Sequence, residues 1–172
     1  MYLSRRLFAG GLIGVTTLPT LAGAAETSLP MPTGKVILTV SGAIGLFNDG
    51  KTAKFDREML TATDWGSFTT STPWYDGPVT FSGVHMVKLM QRLRASGETV
   101  VAVALNDYET KIPMSDFAQF GVLLALKRNG EDMPVREKGP LFIVYPYDSD
   151  SELKSQKYYS RSAWQLARLT VV

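Results

Sequence analysis

The chain has 172 residues, of which 45% are hydrophobic and 20% charged, and its 18 Lys and Arg stand against 16 Asp and Glu. So small a basic excess displaces few counterions, which argues against nucleic acid or an anionic membrane surface as partner. Cysteine is absent, which excludes disulfides and every form of thiolate chemistry.

Residues 1–24 read as a cleavable signal peptide. Arg5 and Arg6 give a positive start, Leu7 to Leu21 is mostly apolar, and Ala22-Gly23-Ala24 fits a small-residue cleavage site. The run Ser4-Arg5-Arg6-Leu7-Phe8 matches the start of a twin-arginine export motif, so the expected location is the periplasm. Gly10, Gly11 and Pro19 dilute an apolar stretch that is already short for a bilayer, and no membrane span is expected after cleavage. The two leader arginines make up the whole basic excess, so the remainder is charge-balanced. Residues 25–34, rich in Pro, Thr and Ser, read as a flexible arm, and 35–172 as a single domain large enough for its own core.

Along that domain, Val36 to Val40 is expected as a first strand, and Phe55 to Leu60 as a short helix capped by Asp56. Residues 63–83 read as turn-rich, with Trp65, Phe68, Trp74 and Phe81 among Ser, Thr, Gly and Pro. Met86, Leu89, Met90 and Leu93 fall at helical spacing, with Ser82 as the expected cap and Gly97 as the stop. Thr99 to Leu105 and Tyr108 to Ile112 read as strands joined by a turn at Asn106-Asp107. Val122 to Lys127 runs into Asn129-Gly130, a hairpin signal. Leu141 to Tyr145 is a buried strand, 148–157 a surface loop, and Ala163 to Val172 a last strand. Many short strands with few helices indicate an α+β domain, with the strands of 99–145 in a mixed sheet.

The chemical inventory is thin. His85 is the only histidine, and without cysteine no metal site of the usual N/S type assembles around it, so a surface or packing role is expected. The carboxylates are scattered, and no Gly-rich phosphate loop is present. Three segments stand out: Thr69 to Trp74, Asn106-Asp107-Tyr108, and Tyr158-Tyr159-Ser160-Arg161. Together they have the groups to hold a flat, hydrogen-bonding heterocycle: aromatic faces, amide and hydroxyl edges, and a guanidinium. The structural alternative is that Trp74 and Tyr159 plug core edges and Arg161 pairs with an acid.

Trp74 to Asp76, the stretch Gly77-Pro78-Val79-Thr80-Phe81-Ser82-Gly83-Val84, and Ala104-Leu105-Asn106-Asp107-Tyr108 occur in an order that resembles the sulfite-oxidase-like molybdopterin-binding domain. Ile112-Pro113, Leu123-Leu124-Ala125, Asn129-Gly130, Gly139-Pro140-Leu141 and Arg161 with Trp164-Gln165-Leu166 extend the resemblance over about 74–172. It implies a mixed β-sheet, barrel-like fold of sulfite-oxidase type with a few short helices. Catalytic members of that family hold molybdenum through a cysteine upstream of the Phe-Ser-Gly-Val stretch, where this chain has Thr69 to Trp74. A cysteine-free branch resembles pterin-binding regulators, which implies a reduced pterin as ligand and no metal. The implied partner is the periplasmic domain of a membrane diguanylate cyclase or phosphodiesterase. On that reading Thr70, Thr72, Trp74, Asn106, Asp107, Tyr108 and Arg161 line the site and none is catalytic. The alternatives are a molybdopterin-dependent oxidoreductase and a structural module that has lost its pocket.

Overall fold

The computed structural model describes residues 28–172. The expected signal peptide lies outside the described residues. From Leu29 onward the expected arm is tied down: Leu29 is buried, its N–H donates to the Phe47 carbonyl, and Asn48 Nδ2 donates to the Pro30 carbonyl at 2.7 Å.

Among the described residues, ten strands form two sheets. The first has β1 (Leu38–Gly42), β2 (Ala53–Phe55), β5 (Thr99–Ala104), β6 (Glu109–Pro113) and β10 (Leu166–Val171), in the order β2-β1-β10-β5-β6. Only β1 and β10 run parallel, which makes this sheet mixed. The second has β3 (Trp65–Thr72), β4 (Tyr75–His85), β7 (Leu123–Arg128), β8 (Glu131–Asp132) and β9 (Phe142–Val144), all antiparallel. The α+β class with a mixed sheet is as expected; the strands of 99–145 divide between two sheets, where one mixed sheet was expected, and no barrel closes among the described residues. Residues 163–166 join the sheets. Ile143 N–H donates to the Ala163 carbonyl and Leu166 N–H to the Leu141 carbonyl, and the same segment then runs on as β10.

Four short helices complete the domain: α1 (Arg57–Thr61), α2 (Met86–Arg92), α3 (Met114–Phe120) and α4 (Gln156–Arg161). Asp56 caps α1 as expected. Its Oδ1 accepts from Met59 N–H at 2.9 Å, while Oδ2 accepts from Thr33 and Gly34 N–H at 2.9 and 2.8 Å, so one carboxylate also clamps the arm. Those donors hold its pKa below the ordinary 3.8, Met59 contributing most. The helix α2 begins where its apolar spacing placed it, but Ser82 lies inside β4 and the cap position is His85, with no side-chain bond. The His85 ring packs over Gly66, where a Cβ would collide with it.

The main departure is residues 63–83, expected as turns and found as the hairpin β3–β4. Ser, Thr and aromatic residues suit a pleated surface, and pairing from Trp65↔Val84 to Ser71↔Pro78 outweighs the local Gly and Pro signals. Pro78 sits where the register shifts, a position that tolerates a missing N–H. At Asn129-Gly130 the expected tight turn forms, with φ of 51° and 85°, the pair of positive values a twist-matched two-residue turn requires. The expected loop 148–157 instead holds a 3₁₀ turn at Ser151–Leu153 and the start of α4.

Candidate ligand-binding site

The turn of the β3–β4 hairpin, the turn between β5 and β6, and α4 with the residues after it come together. These are the three segments singled out in the sequence. Between them lies a cavity of about 330 Å³, lined among others by Trp74, Asn106, Tyr108, Tyr159, Ser160 and Trp164. That size is at the small end of the roughly 300–1,000 Å³ usual for small-molecule sites.

Trp74 lines the cavity and is half-buried. Its ring meets Phe142, Tyr147, Tyr159 and Trp164 edge-on at centroid distances of 5.5, 6.1, 5.9 and 5.3 Å. It therefore both packs on the core and presents a surface to the cavity. Across the mouth, Tyr108 Oη donates to the Ser160 carbonyl at 2.7 Å and links the β5–β6 turn to α4. Asn106 Oδ1 accepts from Tyr108 N–H at 3.2 Å, which fixes the local turn and leaves the amide NH₂ as a free donor group. Pro73, Gln156 and Ser162 complete the lining, so every lining side chain is uncharged.

Four other expected site residues are placed elsewhere. Arg161 is turned to a buried acid. Its Nη1 donates to Asp116 Oδ2 at 2.6 Å, with Asp116 buried and Arg161 largely covered, and its guanidinium lies 5.4 Å from the Tyr158 ring centroid. Tyr145 Oη donates to the same Asp116 oxygen at 2.8 Å. The mostly covered guanidinium is paired with a buried carboxylate, which is the structural alternative for Arg161. Thr70 is buried; its hydroxyl accepts from Asp148 N–H at 3.0 Å, and Asp148 Oδ2 in turn accepts from Ser71 N–H at 2.5 Å. Thr72 Oγ1 accepts from Trp74 N–H at 3.3 Å, so it shapes the turn that carries Trp74. Asp107 is exposed, with positive φ, and pairs with Arg168 at 3.3 Å.

Behind the cavity wall runs a line of buried phenols. Tyr147 Oη donates to Ser162 Oγ, whose own proton goes to the Tyr158 carbonyl at 3.0 Å. Burial pushes the phenols of Tyr145 and Tyr147 far up, and for Tyr145 the bond to Asp116 adds to it, so both stay protonated donors. The cavity lining offers aromatic faces together with amide and hydroxyl edges.

The class defined by this fold and cavity is a two-sheet α+β domain with a small pocket lined by aromatic and polar uncharged side chains. The chain belongs to the oxidoreductase molybdopterin-binding domain family, whose model matches residues 52–150. Its fold is similar to that of the sulfane dehydrogenase SoxCD from Paracoccus pantotrophus, at 18% identity and a TM-score of 0.58. The match covers 78% of this chain and 37% of the SoxCD chain. No curated protein sequence matches this chain.

The residues present do not fit a molybdenum centre held by a thiolate. The sequence has no cysteine, and no group of three or more His, Asp or Glu gathers among the described residues. The region Thr69 to Trp74, where the resemblance places the family's cysteine, offers hydroxyls only, including Ser71 and Thr72, and a neutral alcohol is a poor replacement for a thiolate. The lining itself holds no cation, and Lys138 Nζ stands beside it, 4.6 Å from the centroid of the Trp164 ring.

Proposed function

We propose that this protein is a non-catalytic pterin-binding sensor of the periplasm. Family membership supports a pterin-type ligand. The observation that carries the reading further is the lining itself, in which Trp74, Tyr159 and Trp164 offer faces for a bicycle while Asn106, Gln156 and Ser160 offer edge contacts. The absence of charge from that lining favours a neutral, unphosphorylated pterin, and the absence of a proton-transfer group favours binding over turnover. On this reading the ligand is a reduced pterin, and the loaded protein docks on the periplasmic domain of a membrane enzyme of cyclic di-GMP metabolism. Binding one conformation better than another shifts the population that engages the partner.

The test is titration of the protein with 7,8-dihydroneopterin, followed by quenching of tryptophan fluorescence. Saturable binding that is weakened about tenfold or more by Asn106→Ala together with Tyr108→Ala supports the reading, each edge or face contact contributing on the order of 1–3 kcal/mol. Binding that ignores both changes removes it. Family membership also favours a second reading, a molybdopterin-dependent oxidoreductase. Elemental analysis separates the two: near one molybdenum per purified chain promotes the oxidoreductase.

A further inference from the structure

Val36, Leu105 and Val135 are exposed large apolar side chains. They share a groove of about 330 Å³ built from the segment before β1, the residue after β5, a 3₁₀ turn and the start of β10. The groove is preformed. Leu105 N–H donates to the Gln165 carbonyl at 2.8 Å, and Gln165 Nε2 donates to the Val135 carbonyl at 2.7 Å, which fixes two of its walls against each other. Its charged lining residues are Lys35 and Arg168, both cationic. Arg168 holds Asp107 at 3.3 Å, but both side chains are more than half exposed, so an incoming carboxylate can replace that weak contact.

The groove and the aromatic cavity share one turn. Leu105 lines the groove, while Asn106 and Tyr108 line the cavity. Asp107, between them, adopts a positive φ and donates its N–H to the Ala104 carbonyl at 3.1 Å. A ligand that engages Asn106 or Tyr108 therefore acts on the backbone that positions Leu105.

We propose that this groove seats an extended segment of a partner protein, an apolar side chain flanked by carboxylates, and that the shared turn links its binding to the ligand state of the cavity. Two cations beside an apolar floor suit such a segment by charge complementarity. A second copy related by two-fold symmetry would bring Lys35 and Arg168 towards their own counterparts. The linkage rests on the pterin reading above; the groove itself does not.

The test is an NMR titration of the ¹⁵N-labelled full chain with the capped peptide Glu-Leu-Val-Asp-Leu, with and without 7,8-dihydroneopterin. Shift changes are expected at Val36, Leu105, Val135 and Arg168. The peptide Lys-Leu-Val-Lys-Leu should bind at least about tenfold more weakly, and so should the acidic peptide to Leu105→Asp, a change at an exposed position. Dihydroneopterin should alter the acidic peptide's affinity by about threefold or more. No shifts in the groove, equal binding of the basic peptide, or shifts produced only by self-association or by phosphatidylglycerol vesicles would overturn the proposal. A pterin that binds without changing the peptide's affinity overturns the linkage. A pterin that does not bind at all overturns the cavity reading while leaving the groove to be judged by the peptide alone.

Discussion

Ser160, Arg161 and Ser162 are consecutive, yet they belong to two different regions. Ser160 and Ser162 line an uncharged cavity, whereas Arg161 reaches the other way to a buried carboxylate and a row of phenols. The wall is made of groups that bind weakly and adapt; the anchor behind it is made of groups that are costly to separate. A residue type that suits a ligand pocket can thus be the strut that holds the pocket's wall.

The largest expected effect breaks the anchor. Asp116→Ala leaves Arg161 covered without its partner and should cost about 3–5 kcal/mol of stability, read by denaturant titration. A loss under about 1 kcal/mol would mean that the pair is solvated and the anchor is not one. Arg161→Ala should likewise lower the melting temperature, while dihydroneopterin affinity, measured where the variant is folded, changes little.

Trp74→Ala sits between the two regions. It should lose about 2–4 kcal/mol of stability through the cluster with Phe142, Tyr147, Tyr159 and Trp164, and it should also weaken ligand binding. A variant that melts lower but binds unchanged would assign Trp74 to the core alone.

Acid should find the carboxylate clamps first. Asp56 is held below its ordinary pKa of 3.8 chiefly by Met59 N–H, and Asp148 is drawn down to about 2, chiefly by Lys154 and then by Ser71 N–H. Depressed values stabilise the fold above the unfolded pKa, and that stability is lost as pH falls through the folded one. Stability should therefore be level above about pH 5 and decline from there toward pH 2, more shallowly in Asp56→Asn. An unchanged slope in that variant would remove Asp56 from the account.

The smallest effects belong to the wall. Tyr108→Phe removes one bond to the Ser160 carbonyl, about 0.5–1.5 kcal/mol. Asn106→Ala, at an exposed turn, should change stability by only about 0.5 kcal/mol. If either unfolds the protein, the wall is part of the anchor.

Parts of this were legible in the sequence because the signals were local. Asp56 capped α1, the spacing from Met86 to Leu93 set α2, and Asn129-Gly130 turned β7 into β8. The three segments also stand out in the sequence by their chemistry, and residues from each line one cavity. What was not legible depended on distant partners. The hairpin β3–β4 overrode a turn-like composition through its ladder, and Arg161 was separated from its neighbours by Asp116, 45 positions away in sequence. The helix α3 did leave a signal that went unread. Pro113 stands at its start and Gly121 at its end, with φ of 65°, the left-handed conformation that closes a helix. Gln156, Ser162 and Trp164 were not among the expected ligand contacts, because nothing local distinguishes a cavity-lining serine or tryptophan from a packed one.

The central claim is that the uncharged cavity, and not the charged anchor, recognises the ligand. One double comparison tests it directly: dihydroneopterin affinity of the Asn106→Ala, Tyr108→Ala double variant against that of Arg161→Lys, both measured on folded protein by calorimetry. The account predicts about a tenfold or greater loss in the first and little change in the second. Loss of affinity confined to Arg161→Lys, with the wall variant binding normally, would contradict it.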